Sequence, residues 1–272
     1  MIRILLTTAG VLLCLGGALS LGVAAQQPRP PTSTATIGPL AQIHPPAPDY
    51  QFPNGQILVY EGEWRLWTAG TAKLEMEPNS PNDQRVSASA DSSGVVALLY
   101  PVRDRFQAIF DRRTFCSQNL TKHTEEGFHK RETLISFNYA RRRSILDETN
   151  LKNGQAKHAE NDIPGCVTDV ISGIFYVASL PLTPNATYTF PLNDGGQTVD
   201  VTARVEGRES VKTPAGTFNT VRVAPEAASG VLKDRGKVWV WYTDDARHIP
   251  VQMRARMFWG TLTFRLQRID KK

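Results

Sequence analysis

The sequence predicts an all-β protein: one large, strongly curved antiparallel sheet forming a barrel or half-barrel, with one amphipathic helix near residues 167–180. Three observations carry this. Between Gly236 and Ile269 the side chains alternate with a period of two, Ile249, Val251, Met253, Ala255 and Met257 on one face against Gln252, Arg254 and Arg256 on the other. Turn signals such as PNSPND, NDGG and TPAG punctuate similar runs along the chain. One segment alone breaks the period: in CVTDVISGIFYVASL the apolar residues Val167, Val170, Ile171, Ile174, Phe175 and Ala178 follow helical spacing.

Taken in order, Arg3 is followed by a charge-free run from Ile4 to Ala25 that closes on small residues, the pattern of a secretory signal over residues 1–25, cleaved after Ala25. A retained N-terminal membrane anchor is the alternative, since the run is long enough to span a bilayer. Residues 26–50 are rich in proline and poor in core-forming side chains, an extended, disordered tether. A single domain over residues 51–270 follows, of a size that one large all-β unit can occupy.

Strands are expected from Gln56 to Trp67, with a bend at Gly62, then over 71–77, 84–92, 102–113, 115–124, 128–139 and 141–149. Leu151 to Gly165 lacks periodicity and reads as a loop. In the helix, Val170, Ile171, Ile174 and Phe175 are expected to face the sheet; Thr168 can cap its start, Asp169 suits the positive end of its dipole, and Leu180-Pro181 ends it. Hairpins over 187–206 and 209–224 lead to the C-terminal strands, of which Val238 to Tyr242 is apolar on both faces. So many antiparallel strands with one apolar face accumulate twist and curl, and the helix is expected to plug the mouth or line the concave face.

The net charge of +5 is mild, and no Lys/Arg stripe with interleaved aromatics suggests nucleic-acid binding. Removal of the leader leaves two cysteines, Cys116 and Cys166, an even number for an oxidising compartment, and a disulfide between them is expected. Neither belongs to a CxxC pair, and the five histidines are dispersed, so neither a metal site nor a cofactor is expected.

Several stretches, taken together and in this order, resemble the bacterial domain of unknown function 3108 family: GQILVYEGEWRLWTAGTAKLEME, CVTDVISGIFYVASLPLTPNATY, VEGRESVKTPAGTFNTVRV and VWVWYTDDARHIPVQMRARMFWGTLTFRL. The resemblance runs from about Phe52 to Ile269. It implies an exported envelope protein with a mostly antiparallel, barrel-like fold, and it brings no catalytic residues. Trp67-Thr68 departs from it, being bulkier than the small apolar turn expected there.

Asp244, Asp245 and His248 come nearest to a catalytic constellation, but they occupy a turn where aspartate is favoured for its own backbone bonds, and no nucleophile accompanies them. Arg141 and Arg143 share one face of a strand and Arg142 the other, which suits a solvated or protected edge rather than an anion site. The aromatic residues Tyr60, Trp64, Trp239, Trp241 and Trp259 either fill a core or line a cavity. With the helix residues Ile174 and Phe175 added, Tyr60, Trp64, Trp239 and Trp241 form the candidate ligand surface. The expectation is a non-enzymatic envelope protein that binds an apolar small molecule, a lipid or a lipidated partner in its concave sheet. The rival is an interaction module that docks to another envelope protein through an outer face or an edge strand.

Overall fold

The computed structural model describes residues 41–64, 67–227, 236–257 and 260–272. The leader at 1–25, the tether as far as residue 40, Leu66 and Trp259 lie outside the described residues. Alternation of apolar and polar side chains builds a meander. Strands β1 (Gln56–Trp64), β2 (Trp67–Pro78) and β3 (Asp83–Ser92) lead through a short helix, α1 (Gly94–Leu99), to β4 (Val102–Asp111). Next come β5 (Ser117–Glu126), β6 (His129–Asn138), β7 (Arg143–Asn150) and β8 (Ala156–Asp162). A two-residue strand, β9 (Thr168–Asp169), and helix α2 (Ser172–Ala178) precede β10 (Thr187–Asn193), β11 (Thr198–Thr213) and β12 (Gly216–Ala227). The last three strands are β13 (Lys237–Thr243), β14 (Pro250–Met257) and β15 (Gly260–Lys271).

Among the described residues, all fifteen strands belong to one sheet, in the order β8-β7-β6-β5-β4-β3-β2-β1-β15-β14-β13-β12-β11-β10-β9. The first and last strands of the domain pair antiparallel at its centre, from Gln56↔Lys271 to Trp64↔Leu262. Its two edges therefore come from the middle of the chain. They do not pair with each other, so the sheet curls without closing by strand pairing, and other contacts bridge the seam. Cys116 and Cys166 form a disulfide with their Cα atoms 5.2 Å apart. The Ser117 N–H donates to Val167 O at 2.9 Å, and the Tyr139 hydroxyl, which donates to Ser117 O at 2.5 Å on its own side, stands 3.4 Å from Val167 O across the seam. Farther along, Lys122 Nζ reaches Asp194 O at 2.8 Å, so the β10–β11 turn rests on the inner face of β5–β7. Gly195, with φ of 98°, makes that close approach possible, because a Cβ there would collide with Ile135.

The space between the seam and the central strands is packed solid. Tyr60, Phe110, Phe115, Phe175, Tyr176, Phe190 and Tyr242 are fully buried, with Phe110 stacked on Phe115 at 4.7 Å and Tyr176 edge-on to Phe190 at 4.8 Å. Such aromatic pairs add to the stabilisation from their buried area.

Four expectations need correction. The helix is shorter than residues 167–180: Thr168 and Asp169 pair in parallel with Leu192 and Asn193 instead, and α2 begins only where Asp169 Oδ1 accepts the N–H groups of Ile171 and Ser172, both at 2.9 Å. Its packed side is also rotated from the expected one; Ile171, Phe175, Tyr176 and Ala178 are buried, Ile174 is half-buried and Val170 is exposed. The stretch read as a loop at 151–165 contains β8, an exposed edge strand whose two polar faces leave no alternation to read. The hairpins expected over 187–206 and 209–224 share one long strand, β11, continuous through a bulge between Val205 and Gly207.

The fourth correction concerns residues 41–50, expected to belong to a disordered tether, which lie as a strap across the domain. Gln42 N–H donates to Thr189 O, His44 N–H to the Tyr176 hydroxyl, and Ala47 N–H to Ser179 O, while Gln51 N–H reaches Ala246 O. Proline favours an extended chain, and Ile43, Tyr50 and Phe52 supply apolar anchors that pack on the core. Phe52 stacks on Phe115 at 5.7 Å.

Candidate functional site: the inner face of the sheet

Residues paired across neighbouring strands share a face, so the register shows what lines the inside. At the seam end this face is the packed core: Leu58, Leu74, Met76, Val86, Ala108, Leu120 and Ile135 are buried. Towards the α1 end the same face becomes half-exposed and small. Gly62 pairs with Gly70, Ala72 with Ala90, and Leu74 with Ala88. Bulky apolar side chains flank this floor. Phe264 is paired with Gly62 and Met253, Trp64 with Leu262, and Phe106 with Ala88; Trp64, Phe106, Met253 and Phe264 are all half-buried.

Glycine is required in this floor for local reasons. A Cβ at Gly70 would strike Asp91 O of β3, and one at Gly62 would stand 3.1 Å from the Phe264 ring that lies over it. The strands thus approach closely under an aromatic cover.

Continuing across β4–β8, the inner face turns polar. Asp104 pairs with Thr124, Lys122 with Thr133, and Arg131 with Thr124 and Asn150. An open groove of about 520 Å³ runs along this side, lined by Arg131, Glu148, Asn150, Gln155, Ala156, Lys157 and His158. Asp104 is almost fully buried and accepts the Glu125 N–H at 3.2 Å. Burial, and next the charge of Glu126, raise its pKa to about 7. One side of the concavity is therefore apolar and the other ionic.

The structure distributes the sequence-derived ligand residues over three environments. Tyr60 and Phe175 lie within the packed core, where the Tyr60 hydroxyl donates to Pro250 O at 2.7 Å and burial drives its pKa upward. Ile174 sits at the edge of α2, its carbonyl accepting the Tyr242 hydroxyl at 2.9 Å. Trp64 lies on the half-exposed strip. Trp239 and Trp241 occupy the outer face instead, paired with Arg254 and Gln252; Trp241 Nε1 donates to Glu209 at 2.8 Å, and the Arg254 guanidinium lies 5.3 Å from its ring. Charge covers Trp241, Trp239 is half-buried beside Arg254, and neither joins the inner surface. The strip residues Phe106, Met253 and Phe264 were absent from the expected set. The signal for them was the alternation of Gly and Ala at 70, 72, 88 and 90 opposite bulky partners.

Asp244, Asp245 and His248 each engage a different partner. Asp244 accepts from Arg208 at 2.7 Å, Asp245 pairs with Arg247 at 2.6 Å, and His248 Nδ1 lies 2.6 Å from Ala178 O. Arg141 and Arg143 pair with Glu160 and Asp162 along the β7–β8 edge. Among the described residues no cluster of metal-ligating side chains occurs, and no helix is long and apolar enough to cross a membrane.

An open, strongly curled antiparallel sheet, packed at its seam and half-exposed inside at the other end, places this molecule among the β-barrel-like proteins. The chain belongs to the family described as protein of unknown function DUF3108, whose model matches residues 59–267. No curated protein matches it. Among solved structures it is similar to a β-barrel-like protein of domain of unknown function DUF1849 from Brucella abortus. The two share 9% identity with a TM-score of 0.56, over 86% of this chain and 99% of that one. Weaker likenesses include a protein inferred to be exported, with a YmcC-like fold, from Bacteroides fragilis (10% identity, TM-score 0.37, 85% and 100% covered). Another is an inferred lipoprotein from Parabacteroides distasonis (11% identity, TM-score 0.35, 85% and 99% covered).

Proposed function

We propose that this is a non-enzymatic, exported envelope protein that holds the apolar part of an amphipathic molecule, an acyl chain or a lipidated partner, against the inner face at the α1 end. The observation that carries the reading is the half-exposed strip of Trp64, Phe106, Met253 and Phe264 over a floor of Gly and Ala. The glycines answer to local clashes, but a core built only for stability would carry larger side chains at Ala72, Ala88 and Ala90. The ionic side beside it suits a polar headgroup. Export rests on the leader-like residues 1–25 and on a disulfide, which persists in oxidising compartments.

The test is saturable binding of a fluorescent fatty-acid analogue to the delipidated, folded full chain. Ala90→Phe, which fills the floor, should abolish binding while leaving the melting transition in place, and Trp241→Ala on the outer face should leave binding unchanged. Absence of saturable binding to the parent protein removes the proposal. A second reading is supported by β8, an edge strand with no further strand beside it among the described residues, which could accept a strand from another envelope protein. Lys157, His158, Glu160 and Asp162 along it are the kind of charge that discourages such pairing, which is why this reading stands second.

A further inference from the structure

The hairpin tips at one end of the sheet gather the five most exposed large apolar side chains among the described residues: Leu98 and Phe128 at 85%, Leu99 at 70%, Trp67 at 67% and Val95 at 61%. Single exposed apolar residues scattered over a surface are ordinary; five gathered at one end of a sheet are not. The tips are joined in sequence around the rim. Ser93 N–H donates to Ala69 O at 2.9 Å, tying α1 to the β1–β2 hairpin, and Gly127 N–H donates to Pro101 O at 2.8 Å, tying it to the β5–β6 turn that carries Phe128. Leu151 N–H then donates to Lys130 O at 2.9 Å, bringing the exposed Leu151 of the β7–β8 turn alongside. None of the residues in α1, GVVALL, is buried, so this helix covers none of the core with its apolar side chains.

The charges around this rim are unbalanced. Of its acids, Asp91 is taken up by Arg105 at 2.8 Å, Glu125 by Lys130 at 3.0 Å and Glu148 by Arg131 at 3.7 Å, while Glu126 lies against Asp104. Arg103, Lys152, Lys237 and Arg256 have no ion pair among the described residues. Lys237 and Arg256 are moreover direct cross-strand partners, a like-charge juxtaposition that an external anion would relieve. Lys152 Nζ stands 5.2 Å from the Phe128 ring, a cation beside an apolar tip. Aromatic and aliphatic tips backed by lysine and arginine match the boundary between acyl chains and anionic headgroups, where the rings sit at headgroup depth and the basic side chains reach phosphate.

We propose that the α1 end of the sheet docks on an anionic lipid leaflet, inserting Trp67, Val95, Leu98, Leu99 and Phe128 without spanning it. This surface is separate from whatever the inner face holds, and its test needs no ligand.

An environment-sensitive fluorophore is attached to a single thiol in the full chain carrying Cys14→Ser, Cys116 and Cys166 being bridged. Leu98→Cys and Phe128→Cys place it on the rim, and Pro81→Cys places it on the β2–β3 turn at the opposite end. With vesicles of phosphatidylcholine and phosphatidylglycerol, emission at positions 98 and 128 should rise several-fold and shift to the blue, falling as salt is added, while position 81 stays unchanged. The signal at 128 should be lost in a Leu98→Asp, Leu99→Asp background that still melts cooperatively. Unchanged emission at 98 and 128 overturns the proposal, as does an equal response at 81 or an equal response to phosphatidylcholine alone. A rise that depends on protein concentration without vesicles would show a second copy on the rim and would overturn it too.

Discussion

The Ser117 hydroxyl donates to Asp169 Oδ2 at 2.6 Å, joining residues 52 apart in sequence at the point where the sheet fails to close. Both are fully buried, and the other oxygen of Asp169 holds the first N–H groups of α2. One carboxyl thus ties β5 on one side of the seam to the helix on the other. Asp169→Ala would strand the Ser117 hydroxyl and two helix N–H groups, and should cost about 3 kcal/mol or more. Ser117→Ala removes one donor and should cost about 1–2 kcal/mol. Chemical denaturation of the two variants checks the order; equal losses would show that the helix start does not depend on Asp169.

Beside this pair, the Cys116–Cys166 bridge closes a loop with a sequence separation of 50. The chain-entropy model gives about 4 kcal/mol for a loop of that length, as an upper figure. Reduction under otherwise native conditions, or Cys116→Ser with Cys166→Ser, should lower the denaturation midpoint accordingly. Since Ser117 and Val167 flank the bridge and hydrogen-bond to each other, amides across the seam should also lose hydrogen-exchange protection before those of the β1–β15 pair.

Strands with one buried face were legible in the sequence because burial writes itself as alternation; the buried Val199, Val201, Ala203 and Val205 against the exposed Asp200, Arg204 and Glu206 of β11 are an instance. The edges were not. In β8 both faces meet solvent, so nothing distinguishes it from a loop. The helical period from Val167 to Ala178 was real, but Thr168 and Asp169 gain strand pairing to β10, and that competing hydrogen bonding delays the helix start. For Trp239 and Trp241 the sequence showed a strand apolar on both faces; it did not show that arginine and glutamate side chains would cover the outer one. Tyr60 and Phe175 were recognisable as buried, and only the register separates a packed interior from the open strip next to it.

The rotated packing of α2 can be tested by comparing neighbours. Phe175 is fully buried within the core, whereas Ile174 is half-buried and packs against it. Phe175→Ala should cost about 3–5 kcal/mol, as expected for emptying a closed site. Ile174→Ala should cost about 1–2 kcal/mol, since part of its surface is already in water. Thermal melts of both variants decide it, and a larger loss at Ile174 would restore the face expected from periodicity.

Asp104 gives the fold a pH dependence of predictable sign. It points inward from β4, with Glu126 beside it, and burial and that neighbouring charge raise its pKa from the ordinary value of 3.8 to about 7. The unfolded chain therefore releases this proton near pH 4, whereas the folded chain keeps it until near pH 7. Between those values the folded state binds more protons, and the rule that stability rises with pH only where the unfolded state binds more means that here it falls. The stabilising contribution is complete below the unfolded pKa, is lost progressively as pH rises through the folded one, and changes no further above it. Asp104→Asn keeps the acceptor for the Glu125 N–H without the charge. It should raise the melting temperature at pH 8 relative to the parent and flatten the parent's decline between pH 5 and 7.5, with little difference at pH 4. Melting curves across that range read the outcome directly, and a parent protein whose decline is unaltered by Asp104→Asn would assign the slope to another group.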